Sequence, residues 1–323
     1  SIVTLTRLQR LEEAAAEDKG GRGIGPLLRE GELEEATRSL QHVRAVAILT
    51  GYPCCSSSPP TETDGPPGAL AIARALMRMG KRVMLMTDEI NREPIVAAEE
   101  EGRRSYGCDP VPVLSFPGGS VNAQELVESL ELDCLIAIER AGPAEDGGYY
   151  TMRGRDMSLS VPIAKLESLF ACTSKDGKSL VTIGVGDGGN EVGMGKRIKL
   201  VRAHVPLGDK IACTVKADHL IVAGVSNWGG WALALALMIS QQSHTDPHVL
   251  SLDGEKRILQ AMIAAGARDG CAWSLLVRAH SLCRVTSSDQ LSVDGMPWET
   301  HEELLKTMLS IASDEEEMKD RGG

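Results

Sequence analysis

An apolar run passes directly into a glycine-rich, acidic loop in the segment Leu180-Val181-Thr182-Ile183-Gly184-Val185-Gly186-Asp187-Gly188-Gly189-Asn190-Glu191-Val192-Gly193-Met194-Gly195. The apolar part predicts a buried strand, whereas the loop cannot pack a core. Glycines this dense allow positive φ angles and the close approach of a ligand, and exposed N–H groups there can hold an anion. Asp187, Asn190 and Glu191 can contact a cationic group or a metal ion. We therefore interpret the loop as a binding site, with a mobile turn as the alternative.

The same order of strand, loop and helix recurs along the chain. Apolar runs predict further strands at residues 44–51, 81–87, 111–116, 134–138 and 219–224. Helical patterns occur at residues 68–79, 94–101, 122–130, 163–172, 231–239, 254–265 and 301–311, with Gly102 closing the second. This alternation predicts an α/β fold with a mostly parallel, Rossmann-like open sheet and helices on both faces.

The first 43 residues have a different pattern. Apolar residues at helical spacing predict helices at 2–16 and 26–40. We expect an N-terminal helical segment (1–43), without evident chemistry, packed on an α/β domain (44–323). The acidic end at 314–319 is expected to be a solvated tail. Because the chain begins at Ser1 rather than Met, we expect a fragment that lacks its targeting segment or a preceding domain.

Composition excludes several classes of protein. With 323 residues and 42% hydrophobic content, the chain can bury a substantial core. The net charge of −11 argues against a nucleic-acid groove, which needs clustered Lys and Arg. No apolar run reaches the roughly 18 residues that would span a membrane. The eight cysteines are scattered without a C-x-x-C pair, which indicates a reducing compartment.

Acidic residues cluster at the predicted ends of the strands. Because parallel strands place their carboxyl ends along one crevice, we expect these residues to approach one another: Glu62, Asp64, Asp88, Glu89, Glu139, Asp187 and Glu191. Neighbouring carboxylates raise one another's pKa, which suits paired acid and base chemistry. They can equally hold a divalent cation such as Mg²⁺ or Mn²⁺, with Asp64, Asp88, Asp187 and Glu191 as ligands. Each one alone can also be a helix cap or a surface group.

The glycine loop formally matches the dinucleotide fingerprint through Gly184, Gly186 and Gly189. The residues that follow show no amphipathic helix, so the helix N-terminus that should bind a pyrophosphate is missing. A nucleotide-dependent enzyme therefore remains only an alternative.

Five segments together resemble the C-terminal domain of the mitochondrial D-glutamate cyclase family: Gly51-Tyr52-Pro53, Glu62-Thr63-Asp64-Gly65-Pro66-Pro67-Gly68-Ala69, Thr87-Asp88-Glu89, Gly186-Asp187-Gly188-Gly189-Asn190-Glu191-Val192-Gly193-Met194-Gly195 and Ser226-Asn227-Trp228-Gly229. The resemblance implies a lyase that converts D-glutamate to 5-oxo-D-proline and water in the mitochondrial matrix. It also implies a longer protein, whose N-terminal domain would be a partner of this chain. A non-catalytic domain that binds an amino acid or a metal and regulates the larger enzyme is the alternative.

Cyclisation needs a base for the amine, an acid for the departing hydroxyl and an oxyanion stabiliser. Our hypothesis assigns the base to Asp64 or Asp187 and the acid to Glu191. The N–H groups of Gly188 and Gly189 would stabilise the oxyanion, and Arg140 or Lys196 would bind the α-carboxylate. Further candidates for substrate contact are Glu62, Thr63, Asp88, Glu89, Glu139, Asn190 and Asn227, the last of which is either a helix cap or a ligand contact.

Overall fold

The computed structural model describes residues 2–241, 246, 248–270 and 291–313. The predicted tail at 314–319 lies outside these residues. The central sheet consists of six strands: β1 (Ala45–Leu49), β2 (Arg82–Asp88), β3 (Val113–Phe116), β4 (Cys134–Ile138), β5 (Val181–Gly186) and β6 (His219–Val222). Their order is β3-β2-β1-β4-β5-β6 and every pairing is parallel. The predicted α/β fold with a parallel sheet is confirmed.

Helices cover both faces of the sheet. They are α1 (Ile2–Ala15), α2 (Glu32–Ser39), α3 (Pro66–Arg78), α4 (Arg92–Tyr106), α5 (Ala123–Ser129), α6 (Ile198–His204), α7 (Gly208–Ile211), α8 (Ser226–Ser240), α9 (Leu252–Ala264) and α10 (Trp298–Ser313). A short antiparallel hairpin, β7 (Ser292–Val293) and β8 (Met296–Pro297), precedes α10. In β1, Val46 and Ile48 face the core formed with α3 and α8, whereas Ala47 and Leu49 face a smaller core formed with α5.

The strand order reverses between β1 and β4, which lie next to each other in the sheet. Folds of this kind bind ligands in the crevice at the carboxyl ends of the strands, at that reversal. The loops after β1, β4 and β5 therefore meet where a site is expected.

Helix α8 brings one further element to this crevice. Residues 226–239 are buried on every side of the helix. A side chain at Gly230 would place its Cβ 2.6 Å from the Cα of Gly68, so the backbones of α3 and α8 approach closely. This contact holds the first turn of α8 beside the loop that leads into α3.

Two predicted helix boundaries are wrong. Gly102 does not end α4, which continues to Tyr106 and ends at Gly107 with φ 60°. Gly102 instead lies inside the helix, where a Cβ would stand 3.4 Å from Arg74 Nη1. The predicted helix at 231–239 begins five residues earlier, at Ser226, because the carboxylate of Asp64 accepts the first N–H groups of α8.

Two other predicted helices are shorter than expected. Residues 163–172 contain only a 3₁₀ turn, Leu166–Ala171. Residues 26–40 are split into a 3₁₀ turn, Gly25–Leu27, and helix α2, because Gly31 takes a left-handed conformation with φ 87° between them.

The N-terminal helices pack on the rest of the chain. Helices α1 and α2 both contact α8, and α2 also contacts the edge strand β6. The carboxylate of Glu32 in α2 accepts the N–H of Leu220 at 3.0 Å, which satisfies a donor on the open edge of the sheet.

Candidate active site

Five acidic side chains from four separate segments converge at the carboxyl edge of the sheet; we call them the acidic cluster. Asp64 follows β1, Glu139 follows β4, Asp187 and Glu191 follow β5, and Asp294 forms the turn between β7 and β8. Glu139, Asp187 and Glu191 each offer a carboxylate oxygen within 4.8 Å of the others, and so do Asp64, Asp187 and Asp294. Asp187 belongs to both groups and is 1% exposed, so it lies at the centre of the cluster.

Asp64 holds two helices in place together with Asn227. Its carboxylate accepts N–H groups from Gly65, Ser226 and Asn227 at 2.8–2.9 Å, which caps the start of α8. In return, the side-chain oxygen of Asn227 accepts the N–H groups of Gly65 and Gly68 at 3.0 and 2.9 Å, which caps α3. Burial outweighs these bonds and, with the charge of Asp294, raises the pKa of Asp64 to about 7. Asn227 is therefore a helix cap rather than a free ligand contact.

Glu191 closes the glycine loop on itself. Its carboxylate accepts the N–H groups of Asp187, Gly188 and Gly189 at 2.8, 2.7 and 2.6 Å. Backbone N–H groups arranged in this way form an anion-binding nest, and the protein's own carboxylate fills it. This arrangement does not support the predicted oxyanion role of Gly188 and Gly189, because their N–H groups already donate to Glu191. Glu191, bound by three donors, is a support for the loop rather than a proton donor.

Glycines allow the loop to fold in this way. Gly189 takes φ 115° and Gly193 takes φ 105°, conformations that residues with side chains rarely adopt. Gly193 also lies against strand residue Gly184, where a Cβ would come within 2.8 Å of the opposite Cα. Asn190 donates from Nδ2 to the carbonyl of Tyr150 at 2.7 Å, so its amide anchors the loop.

Among the described residues, only one of the two carboxylate oxygens of Asp187 has a hydrogen-bond partner. Its Oδ1 accepts a hydrogen bond from Nη1 of Arg22, which comes from the connection after α1. Its Oδ2 is buried and has no hydrogen-bond partner among the described residues. Burial raises the pKa of Asp187 well above its ordinary value, although the Arg22 guanidinium opposes the shift. A carboxylate oxygen that is buried, partnerless and next to other acids is suited to exchange a proton.

Glu139 is oriented by a hydroxyl. Ser226 donates from Oγ to Oε2 of Glu139, and the backbone of Glu139 takes φ 43°, an uncommon value for a side-chain-bearing residue. Burial and the charge of Glu191 raise the pKa of Glu139 well above its ordinary value. This direction favours the protonated form of Glu139, the form that can donate a proton.

Glu62 and Thr63 lie at the border of the cluster. Glu62 accepts a hydrogen bond from Sγ of Cys54 at 3.0 Å, and its Oε1 has no partner in the described part of the chain. Burial and the neighbouring Cys54 raise its pKa well above the ordinary value. Thr63 donates to the carbonyl of Ser292 at 2.9 Å and so ties this loop to the hairpin that carries Asp294.

Asp88 and Arg140 form a closed pair away from the cluster. Both side chains are fully buried, and the guanidinium donates to both oxygens of Asp88, at 2.5 and 2.8 Å. Asp88 also accepts the N–H of Ala164 and the amide of Asn91. This arrangement does not support the hypotheses that Asp88 contacts substrate or metal and that Arg140 binds the α-carboxylate. Both oxygens of Asp88 and both terminal nitrogens of Arg140 are engaged, although Nε of Arg140 has no partner among the described residues.

Two further candidates for substrate contact, Lys196 and Glu89, lie outside the acidic cluster. Lys196 contacts Glu32 at 2.7 Å and the carbonyl of Asp218 at 2.5 Å, at the amino end of β6 and thus at the opposite edge of the sheet. Its proposed contact with the substrate is not supported by this position. Glu89 is exposed and lines a separate open cleft of about 610 Å³ with Glu93 and Arg155.

The acidic cluster offers only carboxylate oxygens, the donors that Mg²⁺ and Mn²⁺ prefer. Asp64 and Asp187 of the predicted ligand set lie together, with Asp294 as a third group, whereas Glu191 groups with Glu139 and Asp187. Asp88 belongs to neither group. A cation would have to compete with Arg22 for Asp187, so these residues are compatible with a divalent ion but already contain one counter-charge.

Sequence reasoning missed Arg22 and Asp294. Asp294-Gly295 between two short strands is a typical hairpin signal, with φ 54° and 76°, so the turn could be predicted from the sequence. The position of Asp294 beside Asp187 could not be predicted, since more than 100 residues separate the two. Arg22 lies in a glycine-rich break, Lys19-Gly20-Gly21-Arg22-Gly23, that carries no signal for a site.

The fold and the cluster define an α/β protein with buried acids at the reversal point of a doubly wound sheet. A family model described as D-glutamate cyclase-like, C-terminal, matches residues 11–309, and the chain belongs to this family. Mitochondrial D-glutamate cyclase of Homo sapiens is 35% identical over 333 residues, which cover 97% of this chain and 53% of the human protein. The chain thus spans about half the length of the curated relative it matches. Among the described residues, no helix combines the length and apolarity needed to cross a bilayer.

Proposed function

We propose that this chain converts D-glutamate to 5-oxo-D-proline and water, as a hydro-lyase, at the acidic cluster. The family and the human relative support a D-glutamate cyclase-like function. The observation that carries the assignment to this site is the pairing of Asp187, whose buried Oδ2 has no hydrogen-bond partner among the described residues, with Glu139, whose pKa is raised by burial and by Glu191.

The reaction moves two protons from the substrate nitrogen to the departing oxygen. The ammonium group loses one proton, the amine nitrogen attacks the γ-carboxyl carbon to form the ring C–N bond, and the ring nitrogen then loses a second proton. The C–O bond of the tetrahedral intermediate breaks, and the oxygen, which has received two protons, leaves as water. A base and an acid within reach of one small molecule therefore satisfy the chemistry.

We assign these roles by which oxygens are free. Asp187 accepts the proton of the amine through Oδ2, because Arg22 occupies only Oδ1. Burial raises the pKa of both acids, but only Asp187 lies against the guanidinium of Arg22, which favours its ionised form. Glu139 is therefore the donor to the departing hydroxyl, and Ser226 fixes its direction. Asp64 and Glu191, which each accept three backbone N–H groups, support the site instead.

The human relative supports a proposal on location and partner. The human protein is named as mitochondrial, and we propose the mitochondrial matrix for this chain. Since the chain covers about half of that protein, we also propose that the remainder forms an N-terminal domain that accompanies it.

The test is 5-oxoproline formation by the purified chain from D- and L-glutamate, with EDTA or with added Mg²⁺ or Mn²⁺. Turnover of the D isomer that is lost in Glu139→Gln supports the proposal. Loss of turnover in EDTA would assign the carboxylates to a metal ion. Binding of D-glutamate without turnover under every condition would favour the regulatory domain.

A nucleotide-dependent reaction is disfavoured by one contact. The N–H groups that would cradle a phosphate donate to Glu191, whose negative charge would repel a phosphate. Tight binding of NAD or ATP by the purified chain would contradict this conclusion.

A further inference from the structure

Arg22 links the N-terminal segment to the acidic cluster. Its guanidinium contacts Asp187 through Nη1 and Asp294 through Nη2, the latter at 2.5 Å. The two carboxylates come from different elements, the loop after β5 and the β7–β8 turn, so one side chain joins three parts of the chain. The Arg22 side chain is 20% exposed, whereas those of Asp187 and Asp294 are 1% and 4% exposed.

The backbone around Arg22 is shaped to present it. Asp18 accepts the N–H of Arg22 at 2.8 Å and the N–H of Gly23 at 2.7 Å. Gly21 and Gly23 take φ 65° and 76°, which close this turn. The turn is fastened to the domain by the N–H of Gly224, which donates to the carbonyl of Ala15 at 2.8 Å. The position of Arg22 is thus fixed by hydrogen bonds that do not involve the acids it meets.

The contact of Arg22 places a positive charge beside the carboxylates of the acidic cluster. Asp64, Asp187 and Asp294 offer oxygens within 4.8 Å of one another. At such a separation buried negative charges repel one another and favour proton uptake. The guanidinium of Arg22 opposes this rise in the pKa of Asp187 and Asp64. The guanidinium forms two directed contacts, which a mobile solvent cation would not provide.

We propose that Arg22 is a positioning residue for the cyclisation: by holding Oδ1 of Asp187 it directs Oδ2 towards the reacting amine, which makes the N-terminal segment part of the active site. This inference rests on the proposed function at the same cluster. Arg22 acts through Asp187 and need not touch the substrate.

The test compares Arg22→Gln and Arg22→Lys with Arg29→Gln. Arg29 is a matched control because it lies in the same segment and pairs with Glu32 and Glu35, away from the cluster. We expect kcat of Arg22→Gln to fall roughly 10²-fold at neutral pH, with a smaller change in KM. The acid limb of its pH–rate profile should move upward by about one unit, because Asp187 loses the guanidinium that lowers its pKa. Arg22→Lys should recover part of the rate, and Arg29→Gln should keep the wild-type profile.

Equal losses in Arg22→Gln and Arg29→Gln, with both profiles unshifted, would overturn the proposal and leave Arg22 a structural residue. A second measurement does not depend on turnover. In protein labelled with ¹³C at aspartate carboxyl groups, the Asp187 signal, assigned by its absence in Asp187→Asn, should titrate at higher pH in Arg22→Gln than in wild type. An unchanged midpoint would contradict the inference even if the chain proved inactive towards D-glutamate, whereas a shifted midpoint in an inactive chain would reject only the proposed function.

Discussion

Asp88 and Asp187 stand at the same edge of the sheet, and each is buried and faces an arginine. Asp88 receives Arg140 on both oxygens, and each oxygen has a second donor, from Ala164 or Asn91. Asp187 receives Arg22 on one oxygen, and its other oxygen has no partner in the described residues. Two aspartates with equal burial thus differ in how many of their acceptor sites are filled.

This difference distinguishes a structural aspartate, Asp88, from an aspartate suited to proton transfer, Asp187. Buried polar atoms in proteins are almost always hydrogen-bonded, so a carboxylate with both oxygens filled, such as that of Asp88, is explained by the fold alone. An unfilled oxygen costs free energy, and its retention calls for a function such as proton exchange. Burial and charge by themselves did not distinguish the two residues; the count of donors does.

The largest effect should follow from Asp187→Asn. The amide cannot take the proton of the amine, so we expect kcat for 5-oxoproline formation to fall by roughly 10²–10⁴-fold. The fold should survive, because the amide can still accept from Arg22. Turnover and the thermal unfolding midpoint should be measured on the same preparation. A variant with a near-normal rate would exclude the assigned role.

Asp88→Asn should lower the stability of the fold rather than kcat. It leaves the buried charge of Arg140 without its counter-ion, and breaking a buried pair costs about 3–5 kcal/mol of unfolding free energy. Urea titration followed by circular dichroism measures this loss. Any remaining folded protein should turn over at close to the wild-type kcat; a selective loss of kcat in stable protein would instead place Asp88 in the reaction.

The pH dependence of stability sharpens the contrast further. Burial raises the pKa of Asp64 from 3.8 to about 7, and it raises the pKa values of Asp187 and Glu139 as well. Such groups bind protons more tightly when folded, so the stability they contribute is complete below about pH 4 and is lost as the pH rises through about 7. We expect the unfolding free energy to decrease from about pH 5 to about pH 8, and to decrease less in Asp187→Asn. A free energy that rises over this interval would show that the cluster is ionised and compensated.

The smallest effect is expected at Lys196. Its ammonium group pairs with Glu32 at the amino end of β6, far from the acidic cluster. In Lys196→Gln, KM for D-glutamate should stay within about twofold of wild type, because no binding contact is removed. Steady-state kinetics measures this directly. A KM raised tenfold or more would return Lys196 to the substrate site.

Much of the fold was readable from local pattern. Each apolar run that predicts a strand corresponds to one of β1 to β6. Apart from the half-buried β3, these strands are mostly buried, and strands buried on both faces are continuously apolar. Glycine positions were harder to interpret. Gly102 and Gly107 are both compatible with a helix end, and only the packing of α4 against its neighbours puts Gly102 inside the helix.

The sequence predicted the location of the site but not the role of each residue in it. The rule that strands end along one crevice brought Asp64, Glu139, Asp187 and Glu191 together, and it also included Asp88. Periodicity does not report which donors surround a carboxylate. It therefore could not show that Glu191 fills its own glycine loop or that Arg140 satisfies Asp88.

The sequence by itself determined the α/β class, the edge of the sheet where acids gather, and the resemblance to a family, since all three depend on residue type and spacing along the chain. Only the tertiary structure decided that Arg22 and Asp294 join Asp187, and that Oδ2 of Asp187 remains unfilled among the described residues. The reason is physical: hydrogen bonds and ion pairs act over about 3 Å in space, whatever the separation in sequence.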